Sequence, residues 1–255
     1  MREFVKFLAF DTSTDRMSVA LTDGARVWRH DGPGGAQAST TLIPAILALL
    51  AEAGLTLGEL DAIAFGRGPG SFTGLRTACS VAQGLAFGAN HGAGIPVLPI
   101  DTLMAVAEDA RFQRAMASSD AAPLVITALL DARMDEIYLQ SYEFGSDSCK
   151  TVGRCSLFRP ENLAPEPSAV LLAGNVFGVF TGRLPAALAA LPCVEAFPTA
   201  SALLRLAPML AAAGRCVDAA LALALYVRDK VAFTTDERAL AKAGAATPQP
   251  QANAR

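Results

Sequence analysis

Gly66-Arg-Gly-Pro-Gly-Ser-Phe-Thr-Gly-Leu-Arg76 gathers glycine, proline, helix-capping residues and arginine within eleven positions. An apolar run, Asp61-Ala-Ile-Ala-Phe65, precedes it, and a helical pattern reaching about Asn90 follows. The stretch therefore reads as a strand-to-helix turn. Gly66, Gly68 and Gly70 free the backbone for φ > 0, Pro69 stiffens the centre, and Ser71 or Thr73 can cap the helix. Helix N-termini of this kind attract anions. Neither phosphate-loop pattern is met, however, because the loop has no lysine and Ser71 stands where the third glycine of Gly-x-Gly-x-x-Gly belongs.

Working towards the N-terminus, Val5 to Phe10 is apolar and ends in the polar turn Asp11-Thr-Ser-Thr-Asp15. Met17–Leu21 and Ala25–Trp28 follow as strands joined at Asp23-Gly24, a hairpin signal. A helix from about Ser39 to Ala53 closes on Gly54. Beyond the central turn come a helix from Thr73 to about Asn90, the strand Ile95–Ile100 and a helix from about Asp101. The order β-β-β-α-β-α-β-α predicts an RNase H-like α/β layer.

The theme then returns. Leu124–Leu130 ends in Asp131-Ala-Arg-Met-Asp135, Glu136–Tyr142 and Val152–Phe158 continue as strands, and Val170–Gly174 is another. Helices are expected from about Gly182 to Leu191 and from Thr199 to about Ala213. Two stacked copies, the second reduced, predict an actin-like architecture. Its parts are an N-terminal domain over 1–103, a second domain over 104–214, a segment returning to the first domain over 215–238, and a disordered tail over 239–255 rich in Ala, Pro and Gln.

With 255 residues, 52% of them hydrophobic, the chain can fill a core unaided. A net charge of −3 gives no global basic field for nucleic acid. Five cysteines without a Cys-x-x-Cys pair fit neither a zinc knuckle nor a disulfide framework, which points to a reducing cytoplasm. The longest uninterrupted apolar run, Leu42–Ala51, is too short to cross a bilayer, so no membrane role is expected.

Two helices stand out for lack of charge. The first is apolar on every face between Thr40 and Leu50, and the second places Ser80, Gly84 and Gly88 at four-residue spacing. A surface helix of a layered fold ordinarily carries a polar stripe. We therefore expect Leu42, Ile43, Ile46, Leu47 and Leu50, with Ser80, Gly84 and Gly88, to form a contact with another subunit or a second copy.

Catalytic equipment is sparse. His30 and His91 are far apart in sequence and do not make a metal pair. Asp11 and Asp101 sit at expected strand ends, but Gly66-Arg67 occupies a third end where a metal nuclease would want an acid. The turn Asp11-Thr12-Ser13 and its echo Asp131-Ala-Arg133 lack the glycine that lets phosphate approach an actin-type backbone, leaving at most a vestigial nucleotide turn. A weak ATPase or a metallopeptidase remains the rival enzyme reading, and an RNA-binding module a third.

Phe10-Asp-Thr-Ser-Thr14, the 66–76 stretch, Ile95-Pro-Val-Leu98, Leu130-Asp-Ala-Arg133 with Ile137-Tyr138, and Tyr226-Val-Arg228 resemble the TsaB family, also called YeaZ. The resemblance covers residues 4 to about 232. It implies an actin-like fold in a non-catalytic partner of the paralogue TsaD, in the bacterial machinery that puts a threonylcarbamoyl group on N6 of adenosine 37 in tRNAs reading ANN codons. It also implies docking on TsaD through the two N-terminal helices, an ATPase partner TsaE, and tRNA met only through the complex. A homodimer is expected when the protein is alone. The loop Gly68, Pro69, Gly70, Ser71, Phe72, Thr73, Gly74 and Arg76 would orient the second helix. TsaD carries a His-x-x-x-His pair after the strand matching Ile95–Ile100, where this chain reads Pro99-Ile-Asp-Thr-Leu-Met-Ala-Val106. No metal and no tightly bound cofactor are expected, with ATP or ADP confined to a shared interface.

Overall fold

In a computed structural model, which describes residues 5–117, 124–146 and 148–228, two five-stranded sheets repeat one topology. The first contains β1 (Phe7–Asp11), β2 (Arg16–Thr22), β3 (Val27–Pro33), β4 (Ala62–Gly68) and β5 (Val97–Asp101) in the order β3-β2-β1-β4-β5. The meander is antiparallel, as the Asp23-Gly24 hairpin implied, and β4 and β5 join in parallel. The second sheet uses β6 (Leu124–Asp131), β7 (Ile137–Phe144), β8 (Cys149–Phe158), β9 (Leu171–Gly174) and β10 (Cys193–Glu195). Its order, β10-β9-β6-β7-β8, is the first sheet's order read from the other edge.

Alternation along the strands splits the first sheet's side chains between two cores. Leu8, Phe10, Val19, Ile63 and Phe65 meet α1 (Ala38–Ala53) and α2 (Phe72–Gly88) on the outer side. Phe7, Ala9, Ala20, Ala62 and Ala64 face α3 (Thr102–Ala117) and α4 (Ala200–Ala212), which Ile126, Ala128 and Leu130 cover from the second sheet. Those two helices form a central layer. Thr102 to Glu108 is buried without a break, as a helix enclosed by two sheets requires.

Two expectations need correction. The helix expected near 182–191 is a series of turns and a short 3-10 segment, Ala186–Ala190, because Pro185 opens it and Pro192 prevents its extension. The short strand β10, which lacks an alternating pattern, follows it. In addition, α1 with its preceding turn forms a 19-residue apolar stretch, Gly35–Ala53, long enough by composition to cross a membrane, rather than the ten residues read from sequence. Its inner face packs into the core of the first sheet through Leu42, Ala45, Ile46, Leu49 and Leu50. The returning segment pairs Val217 with Val97 through two backbone hydrogen bonds and reaches Arg67 through Leu225, ending among the described residues at Arg228. The expected tail lies outside the described residues.

Candidate functional site

Of the three glycines expected to free the central turn for φ > 0, only Gly68 takes such a conformation; Gly66 and Gly70 instead let the turn fold closely onto Asp11 and Ser13. Ser71 N–H donates to Ser13 O at 2.7 Å, and Thr12 Oγ1 donates to Gly74 O at 2.8 Å. Any Cβ on Gly70 would meet Ser13 at 2.6 Å, and one on Gly74 would meet Thr12 O at 1.8 Å. Gly68 has φ +122° and abuts Leu225 O. The sequence reading of Ser71 as N-cap is right in position, but its side chain makes no capping bond. Phe72 lies between the Arg76 guanidinium, 3.8 Å from its ring centroid, and the Tyr226 ring at 5.5 Å. Thr73, the second residue of α2, accepts at its carbonyl from Thr77 Oγ1.

Asp11, Thr12 and Ser13 are all buried beneath this turn. Asp11 Oδ1 accepts from Ser13 N–H at 2.8 Å and from Ser13 Oγ–H at 2.6 Å, while Oδ2 is enclosed against Gly66 without a hydrogen-bond partner. The carboxyl does not line the interdomain cleft. Burial pushes its pKa up from 3.8 to about 6, and the bonds from Ser13 pull the other way. The folded state thus keeps a proton that the unfolded chain has shed between about pH 4 and 6, so stability is lost as pH rises through that window and levels off above it. We expect Asp11→Asn to flatten this dependence, by on the order of 3 kcal/mol across the window. Urea midpoints measured from pH 4 to pH 8 check it, and equal slopes in both proteins would refute it.

At the equivalent turn of the second sheet, Arg133, Met134 and Asp135 take left-handed conformations in succession, with φ of 59°, 54° and 65°. Such conformations cost about 1–2 kcal/mol per non-glycine residue. Ion pairs hold them. Arg183 binds Asp135 and Glu161, and Arg228, from the returning segment, binds Glu136 and the Arg133 carbonyl. Arg133 pairs with Asp131 at 3.1 Å. The sequence signals a turn here but not its left-handed conformation. Between the two turns runs a cleft of about 510 Å³ whose charges mix Arg16, Arg133 and Arg228 with Asp15, Asp131 and Glu195. Asp101 is engaged by Arg67 at 2.6 Å, and among the described residues no three His, Cys, Asp or Glu side chains gather as a metal site.

The outer helices divide the residues expected at a contact. Leu42, Ile46 and Leu50 belong to the core of this chain, which corrects their assignment to a partner surface. Their spacing is the inward face of a 3.6-residue helix. Ile43 and Leu47 point outward, 43% and 52% exposed, beside Pro44, Ala48 and Ala51. On α2, Ala78, Ala82 and Ala86 face inward, whereas Ser80, Gly84 and Gly88 are exposed next to Phe87 at 56%, a residue that the sequence reading missed. A Cβ on Gly84 or Gly88 would meet nothing within 4 Å.

The same fold occurs in a solved structure, YeaZ from Pseudomonas aeruginosa, with a TM-score of 0.75 and 36% identity over 88% of this chain and all of that one. The chain belongs to the TsaB (YeaZ) family. A family model described as TsaD, tRNA N6-adenosine threonylcarbamoyltransferase, matches residues 35–240. Relatives named tRNA threonylcarbamoyladenosine biosynthesis protein TsaB include those of Haemophilus influenzae, 43% identical over 131 residues, and Escherichia coli, 34% identical over 139 residues. These alignments take in 51% and 54% of this chain and 51% and 55% of the relatives, so the chain spans about half the length of the curated TsaB proteins it matches.

Proposed function

We propose that this family member is a non-catalytic scaffolding subunit of the bacterial complex that transfers a threonylcarbamoyl group to N6 of adenosine 37 in tRNAs reading ANN codons. Its α1–α2 face docks TsaD, the paralogue that carries out the transfer. TsaE joins the assembly as its ATPase, tRNA is met through the complex in the cytoplasm, and the same face makes a homodimer when TsaD is absent. The observation that carries this reading is the pair Gly84 and Gly88. Glycine in a helix costs about 1 kcal/mol relative to alanine, and no neighbour within the chain requires it at either position. Close approach of another backbone gives those glycines a use, and the flanking Ile43, Leu47 and Phe87 supply apolar area to bury.

The enclosure of Asp11 and Thr12 supports placing any nucleotide at the shared interface rather than in the first turn. The test is light scattering on a sizing column, for the protein alone and mixed with TsaD from the same source, together with threonylcarbamoyladenosine formation on a tRNA transcript. A dimer that converts to a heterodimer, and a reaction that requires both proteins, are expected. A monomer indifferent to TsaD would overturn the scaffold reading. Tight binding of ATP and magnesium by the isolated protein, read by calorimetry, would favour the rival ATPase.

A further inference from the structure

Between Ala222 and Arg228 the returning segment is anchored at three successive places. The Ala222 carbonyl accepts from Cys79 Sγ at 3.1 Å and from Gln83 Nε2 at 2.9 Å, both on α2. Leu225 N–H donates to Arg67 O at 2.7 Å, and the Tyr226 ring lies against Phe72, so the second anchor is the central turn. Arg228 then reaches the turn of the second sheet, where it binds Glu136 and donates to the Arg133 carbonyl at 3.3 Å. Three residue steps, about 10 Å of fully extended chain, join each anchor to the next. The segment therefore has little slack in which to absorb a displacement.

The element at the far end is strained. Arg133, Met134 and Asp135 are left-handed one after another, a conformation that a Cβ disfavours, so the turn relaxes once its ties are cut. Two arginines supply those ties. Arg183 and Asp135 are 41% and 45% exposed, and water and salt weaken a pair of that kind. Arg228 is only 14% exposed and Glu136 32%, and the same guanidinium also holds the Arg133 carbonyl. Burial makes Arg228 the firmer tie. Arg133, Met134 and Arg228 all line the cleft of about 510 Å³, so the state of this tie sets the shape of one cleft wall.

We propose that the returning segment couples α2 to the cleft: displacing its anchor at Ala222 loosens Arg228 and lets the left-handed turn relax, and loosening Arg228 is felt at α2 in return. The coupling belongs to the isolated chain and holds whatever binds at either place. Amide hydrogen exchange on the full-length protein reads it. Ala132 and Glu136 N–H groups are bonded within the turn, and Leu225 N–H reports on the segment. Rates are taken relative to Leu172 and Ala196, which are bonded elsewhere in the second sheet. Arg228→Ala speeds exchange at Ala132 and Glu136 by about tenfold or more. Cys79→Ala combined with Gln83→Leu removes both donors to the Ala222 carbonyl and leaves Arg228 untouched. This variant speeds exchange at Leu225 and, by about fivefold or more, at Ala132 and Glu136. Turn amides that exchange at the wild-type relative rate in either variant would overturn the proposal, whether or not Leu225 has changed.

Discussion

Leu47→Asp is expected to weaken the proposed association with TsaD by roughly a hundredfold while leaving the fold and melting temperature of the isolated protein almost unchanged. Leu47 is half exposed on the outward face of α1, so a charge there remains in water in the free protein. In the complex it forfeits the burial of a leucine and forces a carboxylate out of solvent. The two effects together weaken binding by about 3 kcal/mol or more, roughly a hundredfold in Kd. Titration by light scattering or calorimetry reads the loss, and an unchanged Kd would remove α1 from the interface. Ile46→Asp cannot serve this purpose. One helical position away, Ile46 is fully buried among Phe10, Ile63 and Phe65, and an aspartate there would unfold the chain whatever its partners.

Gly74→Ala should destabilise the protein by about 3 kcal/mol or more, although alanine ordinarily improves a helix by about 1 kcal/mol. The reason is steric. The added Cβ would stand 1.8 Å from Thr12 O and 2.9 Å from Thr12 C, both backbone atoms that a rotamer change cannot move. Relief would pull α2 away from β1 and break the hydrogen bond that Thr12 Oγ1 donates to Gly74 O. Gly84→Ala, in the same helix with open space around it, is the control and should be neutral or stabilising by up to about 1 kcal/mol. Urea denaturation of both variants decides the matter. Equal effects of the two substitutions would show that Gly74 is not a contact glycine.

Much of the architecture could be read from sequence because local signals and global topology agree. Asp23-Gly24 makes the hairpin, Gly54 in a left-handed conformation closes α1, and the Asp11 turn has its echo at Asp131. The segment 182–191 misled because its alanines and leucines favour a helix, while the prolines at either end leave room for only one short 3-10 turn. Of the residues expected at a contact, only some are exposed at all. Absence of charge singled out α1 and α2, but hydrophobicity alone does not tell core from surface. Sorting α1 by the 3.6-residue period would have turned Leu42, Ile46 and Leu50 inward and left Ile43 and Leu47 outside. The left-handed run Arg133-Met-Asp135 could not be read, because partners distant in sequence, Arg183 and Arg228, hold it in place.

The placement of α3 and α4 has a mechanical consequence. Closure of two halves around a ligand proceeds by hinging or by sliding of packed helices, and a thin seam between the halves makes either cheap. Here the seam is a full layer of side chains. Leu103, Val106, Leu203 and Leu206 share one continuous core with the inner faces of both sheets. Rotation would have to shear these helices across apolar surface packed at close to crystalline density. The outward face of α1 and α2 is therefore held at an angle set by the chain's own interior, and a partner docking as proposed would meet a surface that is already in place.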